Sequence, residues 1–296
     1  MALDILVPFW GDPALLRETV ESVLAQRNPD WLLTVVDDAY PDPDVAGWFA
    51  GISDPRVRYL RHEVNQGITQ NYRHCVSLAT QDVMMLLGCD DVLLPGYVDV
   101  VLAARRRFPD AAIIQPGVRV IDDDSQVVRT LVDEVKQRIV RPRVDEATPL
   151  GGESLVASLL HGDWLYWPSL AFRTDRIREV DFRDGFPIIQ DLALVVDLLC
   201  RGEQLLLEPT VCFHYRRHRA SASSAKLADG SRFEDERAYF AVAAEQCHAL
   251  GWHRAERAAR ARITSRAHAV TQLPAALTSC RWRTGRALAR HAFGGR

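Results

Sequence analysis

Short apolar segments recur at nearly even spacing along the first third of the chain. They are continuous rather than alternating, which is typical of strands buried on both faces of a sheet. The segments are Leu3–Pro8, Leu32–Asp37, Val57–Leu60, Val83–Leu87 and Ala111–Gln115. Helical patterns separate most of them, and this alternation of strand and helix predicts an α/β fold with a mostly parallel sheet.

The predicted helices in this part of the chain carry recognisable starting signals. Asp12 is a predicted N-cap, and Pro13 follows it at the first helical position. Further helices are predicted over Gly67–Ala79 and Pro95–Phe108, and Pro95 again lies where a missing N–H group costs nothing. These are the flanking helices of the expected fold.

Beyond residue 117 the pattern is less regular. The sequence predicts a hairpin over Arg119–Leu131, a charged loop over Val132–Pro149, a helix over Glu153–Leu160, a strand over Leu165–Phe172, a helix over Gln190–Cys200 and a strand over Leu205–Tyr215. From Phe233 onward the pattern is helical, with breaks expected at Gly251, Pro274 and Gly285. We therefore expect a helical C-terminal extension after the sheet.

Composition narrows the class of protein. The chain has 296 residues, of which 48% are hydrophobic and 25% charged, and this mix excludes a disordered or fibrous protein. No apolar run reaches the roughly 18 residues of a spanning helix, and the first residues do not resemble a secretory signal. The six cysteines are scattered without a C-x-x-C pair, which favours reduced thiols. We expect a cytoplasmic protein.

Charge is unevenly distributed along the chain. The formal net charge is −3, which gives no overall field that favours nucleic acid, yet residues 252–296 hold ten Arg against one acid. Two interpretations stay open for this basic segment. It is either a surface for anionic lipid, which would place the protein at the inner face of the membrane, or a solvated helical pair or oligomer contact.

Acidic pairs follow two of the predicted strands. Asp37 and Asp38 come after the second strand, and Asp90 and Asp91 come after the fourth. Ligands of parallel sheets bind at the carboxyl ends of the strands. A hard divalent ion is commonly held there by one or two carboxylates together with substrate phosphates. The alternatives are an ordinary turn for the first pair, and a turn with Asp91 as a helix cap for the second.

Four sequence blocks together resemble family 2 glycosyltransferases of the GT-A fold. The blocks are P-F-W-G-D, V-V-D-D-A-Y-P-D, N-Q-G-I-T-Q-N-Y and L-L-G-C-D-D-V-L-L-P, in this order and at the expected strand ends. The resemblance covers about residues 3 to 220. It implies a Rossmann-like, mostly parallel sheet with flanking helices, and a nucleotide-sugar-dependent, inverting hexosyltransferase-type enzyme of polysaccharide or glycoconjugate biosynthesis.

The resemblance assigns the nucleotide-binding side. Pro8 and Phe9 would line the base pocket, Asp37 or Asp38 would contact base or ribose, and Asn65 and Gly67 would lie in the nucleotide-side loop, with Asn71 supporting it. Asp90 would bind the metal, Mn²⁺ or Mg²⁺, with Asp91 as a second carboxylate beside it. The first acid of the family's Asp-x-Asp motif is replaced by Gly88, which weakens the ribose assignment.

The acceptor side needs a base that removes the proton of the attacking hydroxyl. The family's Glu-Asp pair corresponds to Gln190 and Asp191, and we assign Asp191 as the general base; capping of its helix is compatible with this role. Gln190, Trp164 and Trp167 are the acceptor-side candidates, and core packing is the alternative for both tryptophans.

Departing diphosphate needs positive charge close to it. The stretch from Phe213 to Ser223 resembles the family's Y-R-x-H-x-x-S-x-S motif, which makes Arg216, His218 and Ser221 candidates to contact the diphosphate or to order a loop over it. A solvated basic edge is the alternative.

These assignments define the expected organisation and activity. Residues 1–225 would form the GT-A domain, with a nucleotide-binding half over 1–117 and an acceptor-binding half over 118–225, and residues 226–296 would form the basic helical extension. The donor would be a UDP- or dTDP-sugar, and the acceptor a sugar, a lipid-linked acceptor or a glycoconjugate. The alternatives are a catalytically weak nucleotide-sugar-binding member of the same fold, suggested by Gly88 and Gln190, and a sugar nucleotidylyltransferase, whose Gly-rich loop is absent.

Overall fold

A computed structural model of the chain describes residues 1–128, 141–217, 231–278 and 282–294. Its first half contains four parallel strands in the spatial order β3-β2-β1-β4. These strands are β1 (Leu3–Phe9), β2 (Trp31–Asp37), β3 (Val57–Arg61) and β4 (Val83–Leu86). Every residue of β1 and β4 is buried, as expected for strands covered on both faces. The predicted parallel sheet is confirmed for this half.

Three helices connect these four strands, and a fourth helix follows them along the chain. They are α1 (Pro13–Leu24), α2 (Asp44–Ala50), α3 (Ile68–Leu78) and α4 (Tyr97–Arg107). The predicted N-cap is confirmed, because the Asp12 carboxylate accepts a hydrogen bond from the Ala14 amide at 2.8 Å.

The second half extends the sheet with strands of both directions. They are β5 (Val92–Leu93), β6 (Ala111–Ile121), β7 (Thr148–Leu150), β8 (Ala171–Arg173) and β9 (Gln204–Arg216). The short strand β8 runs antiparallel between β4 and β6, while β6 and β9 pair in parallel and β5 pairs antiparallel with the end of β9. This last pairing brings the end of β9 beside the acidic pair that precedes β5.

Two sequence-based predictions for this half are corrected. The strand expected over Leu165–Phe172 is instead a 3₁₀ turn at Trp167–Ser169 followed by β8, and Pro168 within that turn has no N–H group for a sheet ladder. The hairpin after β6 is reduced to one bridge between Ile121 and Val127, and its last residues, 129–131, lie outside the described part of the chain.

The described residues of the second half form seven further helices. They are α5 (Gly152–His161), α6 (Thr174–Arg178), α7 (Gln190–Cys200), α8 (Ser231–Ala249), α9 (His253–Ala261), α10 (Ile263–Thr278) and α11 (Trp282–Phe293). The prediction for α7 is confirmed at both ends. Breaks expected at Pro274 and Gly285 are wrong, since both lie inside helices, whereas Arg262, with a left-handed φ of 47°, ends α9.

The C-terminal extension is packed onto the body of the protein on one side and open to solvent on the other. Ala255, Ala258 and Ala259 of α9 are buried in the same apolar cluster as α5 and α7. Arg254, Arg257 and Arg260 lie on the opposite, exposed face of this helix. Of the helices formed by the described residues, none combines the length and apolarity that crossing a membrane requires.

Candidate functional site

Strand β2 ends in a fully buried carboxylate, that of Asp37. Its Oδ1 atom accepts a hydrogen bond from the Tyr40 amide at 2.7 Å, and its Oδ2 atom accepts one from the Tyr59 hydroxyl. Arg61 Nη1 lies 3.6 Å from Oδ2. The Asp37 side chain therefore holds the ends of β2 and β3 together.

The next residue, Asp38, organises the loop that leads into α3. Its carboxylate accepts hydrogen bonds from the amides of Gln66 and Gly67 at 2.7 and 2.9 Å, while its carbonyl accepts one from Asn65 Nδ2 at 3.1 Å. Gly67 has a φ of 82°, which favours glycine at this turn. The structure thus brings together Asp38, Asn65 and Gly67, three of the residues predicted for the nucleotide side.

Asn71 ties the start of α3 back to the sheet. Its side-chain amide donates to the Val36 carbonyl at 3.0 Å, and its own carbonyl oxygen is buried without a hydrogen-bond partner among the described residues. This agrees with its predicted role in supporting the loop. Contact of Asp37 or Asp38 with a base or ribose stays a prediction.

The aromatic residue exposed at the end of β1 is Trp10 rather than Phe9. Pro8 and Phe9 are both buried, and the Phe9 ring belongs to the core. Their place in the base pocket stays a prediction. Trp10 is 52% exposed and lies edge-on to Tyr40 with 5.5 Å between the ring centroids. In the sequence, Trp10 is a large aromatic residue that directly follows an apolar strand segment. That position is the signal that would have singled it out.

The second acidic pair lies at the junction of β4, β5 and β9. Asp91 is buried, and its Oδ1 atom accepts a hydrogen bond from the Arg216 amide at 2.8 Å. Its Oδ2 atom is buried without a hydrogen-bond partner in the described structure. Burial, followed by the charge of Asp90, raises the pKa of the Asp91 carboxyl well above its usual value.

The two carboxylates of this pair face the same space. A Cβ atom placed on Gly88 would overlap Asp91 Oδ2 and would lie 3.0 Å from Asp90 Oδ1, so both carboxylates face the space beside Gly88. No group of three potential ligands is found among the described His, Cys, Asp and Glu residues. The pair therefore suits an ion that two carboxylates hold and that substrate phosphates complete, rather than an ion in a cage built from protein alone.

The Arg216 side chain is fully buried and surrounded by protein acceptors. Its guanidinium donates to the Asp90 carbonyl at 2.8 Å, to Glu18 Oε2 at 2.6 Å and to Ser125 Oγ at 2.9 Å. A further bond of 3.0 Å reaches the Asp122 carbonyl. Of the two roles predicted for Arg216, these contacts favour ordering of the neighbouring loop. His218 and Ser221 lie outside the described residues.

Asp191 and Gln190 begin helix α7, as the sequence predicts. Asp191 lies in the first turn, after the N-cap residue Ile189, and its Oδ1 atom accepts a hydrogen bond from the Leu192 amide at 2.8 Å. Gln190 is buried, and its Oε1 atom accepts a hydrogen bond from the Thr69 hydroxyl at 2.8 Å. The residue beside the candidate base therefore contacts the helix that follows the Asp38 loop.

Tyr215, which the sequence analysis did not single out, relates the two ends of the site. Burial raises the pKa of its phenol, and the charges of Asp91, Asp90 and Asp191 raise it further. Electrostatic effects of this kind act over short distances. The acidic pair after β4 and Asp191 therefore both act electrostatically on the Tyr215 phenol.

The two tryptophan candidates occupy different environments. Trp164 is 1% exposed and donates to Ser158 Oγ at 3.1 Å, which favours the alternative of core packing for this residue. Trp167 lines a small cleft together with Asp191 and Asp163. It therefore stays a candidate for the acceptor side.

Comparisons with known proteins agree with this arrangement. The family described as glycosyl transferase family 2 matches residues 4–151, half of the chain. Protein y4gI of Sinorhizobium fredii is 36% identical over 38% of the chain, and protein MT1568 of Mycobacterium tuberculosis is 27% identical over 76%. The putative glycosyltransferase EpsE of Bacillus subtilis is 24% identical over 41%. The chain covers 13%, 70% and 44% of the lengths of these three relatives.

A solved structure supports the fold. S. aureus TarS 1–349, crystallised in complex with UDP-GlcNAc, superimposes with a TM-score of 0.65 over 99% of this chain and 90% of that one, at 12% sequence identity. At this identity the likeness concerns the fold alone. The sheet with its flanking helices and helical C-terminal part is thus the GT-A arrangement.

Proposed function

Because the chain belongs to glycosyl transferase family 2, we propose that it transfers a sugar from a nucleoside diphosphate sugar to an acceptor hydroxyl with inversion at the anomeric carbon. Its family makes it a glycosyltransferase, and the finer statements that follow are parts of the proposal. The observations that support them are the carboxylates of Asp90 and Asp91, which face one space beside Gly88, and the cleft that Asp191 lines.

The proposed reaction is a single displacement. Asp191 accepts the proton of the acceptor hydroxyl as that oxygen attacks the anomeric carbon, and the nucleoside diphosphate leaves from the opposite face. Trp167 lines the same cleft as Asp191 and, although only 8% exposed, is proposed to contact the acceptor at the edge of that cleft. The loop fixed by Asp38 and the exposed ring of Trp10 are proposed to hold the nucleotide.

A divalent cation, Mn²⁺ or Mg²⁺, is proposed to bind Asp90 and Asp91. When bound, it supplies positive charge that stabilises the diphosphate leaving group. The orphaned oxygen of Asp91 and its proximity to Asp90 support this assignment, because a cation relieves both the unpaired buried acceptor and the repulsion between the carboxylates.

Removal of divalent metal is expected to abolish turnover. Release of nucleoside diphosphate from a nucleotide sugar should stop in excess EDTA and return on addition of Mn²⁺ or Mg²⁺, since two carboxylates alone would repel the diphosphate. The measurement is a coupled assay for the released diphosphate. Full activity of metal-stripped protein in the chelator would refute the metal assignment while leaving the base untouched.

The donor can be identified with a panel of UDP-, dTDP- and GDP-sugars. Hydrolysis without acceptor and the rise in melting temperature with Mn²⁺ should select the same nucleotide, because a ligand that binds only the native state stabilises it. We propose a UDP- or dTDP-hexose, used in the synthesis of a polysaccharide or glycoconjugate. Nucleotide binding without any hydrolysis or transfer would instead identify a catalytically weak, nucleotide-sugar-binding member of the family.

The exposed arginine face of α9 is proposed as a contact for an anionic lipid surface, near which a lipid-linked acceptor would be reached. Deletion of the extension is a poor test because it would expose the apolar surface of α5 and α7 on which the α9 alanines pack. Replacement of Arg254, Arg257 and Arg260 by Glu reverses the charge of the exposed face and leaves the buried face unchanged. The unaltered chain should sediment with anionic vesicles at low salt and the variant should not. Equal sedimentation of both would leave this face as a solvated surface.

A further inference from the structure

Helix α3 connects the loop held by Asp38 with the segment that begins α7. Its first turn follows Gly67, whose amide donates to the Asp38 carboxylate at 2.9 Å. Two residues later, the Thr69 hydroxyl donates to Gln190 Oε1 at 2.8 Å across 121 positions of sequence. One short helix therefore contacts both the proposed donor side and the proposed base side.

Further contacts fasten the same helix to the segment before α7. The Tyr72 ring stacks on Phe182 with 5.4 Å between centroids, and it meets Trp167 edge-on at 6.0 Å. Arg73 donates to Asp181 and Asp184, each at 2.8 Å. Thr69 and Tyr72 are three residues apart and so share a face of α3. This face is turned toward the part of the chain that carries Asp191.

Gln190 is placed to transmit this contact to Asp191. The Gln190 side chain is 4% exposed, so a lost hydrogen bond there would not be replaced freely by water. Asp191 is its direct neighbour at the start of α7, and the position of the first helical turn sets the direction of its carboxylate. The Asp191 carboxylate accepts a hydrogen bond from the adjacent Leu192 amide of the same helical turn.

We propose that Gln190 is a positioning residue, and that the Thr69–Gln190 hydrogen bond sets the position of the Asp191 base relative to the donor-side loop. The inference rests on the proposed function. Gln190 stands where the family usually has Glu. The proposed task needs a hydrogen-bond acceptor but no charge, so a neutral glutamine can perform it. Thr69 enters the catalytic arrangement only through this bond.

The test compares four full-length variants, Thr69→Val, Thr69→Ser, Gln190→Leu and Gln190→Glu. The readouts are nucleoside diphosphate release from the best nucleotide sugar of the panel, with water as acceptor, and the affinity for the corresponding nucleoside diphosphate. Thr69→Val and Gln190→Leu should each lower kcat about three- to tenfold, the factor that corresponds to one hydrogen bond of ordinary strength. Donor KM and nucleotide affinity should stay within about twofold, because the donor contacts are untouched.

Rescue and coupling distinguish positioning from general damage. Thr69→Ser and Gln190→Glu retain a donor and an acceptor and should recover most of kcat, and the double variant Thr69→Val/Gln190→Leu should be no slower than either single one. Ser77→Ala is the control, since the exposed Ser77 hydroxyl donates only to a carbonyl of its own helix. An unchanged kcat in Thr69→Val, or additive losses in the double variant, would overturn the inference alone. Absence of turnover and of nucleotide binding in the unaltered chain would overturn the proposed function and the inference with it.

Discussion

Asp191→Asn is expected to slow nucleoside diphosphate release and sugar transfer about 10²- to 10⁴-fold, the range that a positioned general base contributes. An amide keeps the shape of the carboxylate and still accepts a hydrogen bond from the Leu192 amide, so α7 should retain its start. What it loses is the capacity to take a proton at neutral pH. Nucleotide affinity should remain within a few-fold, because the residues proposed to hold the nucleotide lie at the ends of β1 and β2.

The matched control for this variant is Asp175→Asn. Asp175 is an exposed acid of α6 that pairs with Arg173, and such surface pairs contribute little to stability. Calorimetric titration with the nucleoside diphosphate should give similar dissociation constants for the unaltered chain and both variants, while only Asp191→Asn loses turnover. If Asp191→Asn retains wild-type turnover, Asp191 is not the base and the acid that begins α7 is only a cap.

The first half of the sheet was predictable because its signal is local. Continuous apolar strands, an Asp-Pro helix start and acids at strand ends follow from burial and capping, and these features depend on neighbouring residues only. The Asp38 loop belongs to the same class, since its three members lie within thirty positions of one another in the sequence and adjoin adjacent strands.

The second half was less predictable because its structure is decided by distant partners. The segment that ends in Phe172 is apolar enough for a strand, yet tertiary contacts and Pro168 leave only three residues of it in the sheet. Arg216 resembles a phosphate ligand in the sequence, but Glu18 and the turn after β6 supply its acceptors in the fold. The same holds for Trp164, whose partner Ser158 lies on α5.

Residues of the site were missed at positions where the family's sequence blocks specify no residue type. Tyr215 lies within a strand, and only the fold shows that the charges of three acids raise the pKa of its phenol. Thr69 occupies a variable position of the N-x-G block, and its contact with Gln190 spans two halves of the chain that the sequence does not relate. A residue whose role depends on pairing across the fold carries no local signal.

Gly88→Asp restores the acid that the family usually has at this position, and we nevertheless expect it to damage the enzyme. A Cβ atom at residue 88 would overlap the buried Oδ2 atom of Asp91, so the Asp91 carboxylate would have to move. That carboxylate also accepts the hydrogen bond from the Arg216 amide, which fixes the end of β9. In this chain, Asp91 occupies the space that a side chain at residue 88 would require.

The expected cost is about 2–3 kcal/mol of stability, from overpacking and from a strained charged hydrogen bond. Turnover should fall at least about tenfold, since displacement of Asp91 disturbs one of the two proposed cation ligands. Thermal unfolding and the diphosphate-release assay measure the two effects. Gly88→Ala separates size from charge, because it introduces the same Cβ atom without a third carboxylate.

The control is Gly47→Asp at an exposed position of helix α2, where a Cβ atom would meet no other atom within 4 Å. This variant should keep its melting temperature within a few degrees and its full turnover, because an exposed Gly in a helix is replaced at little cost. If Gly88→Asp is as stable and as active as Gly47→Asp, the Asp91 carboxylate is free to move. Its buried position is then not the reason why residue 88 is a glycine. If instead Gly88→Ala already causes most of the loss, the absence of the family's first acid follows from the inward position of Asp91, which leaves no room for a side chain at residue 88.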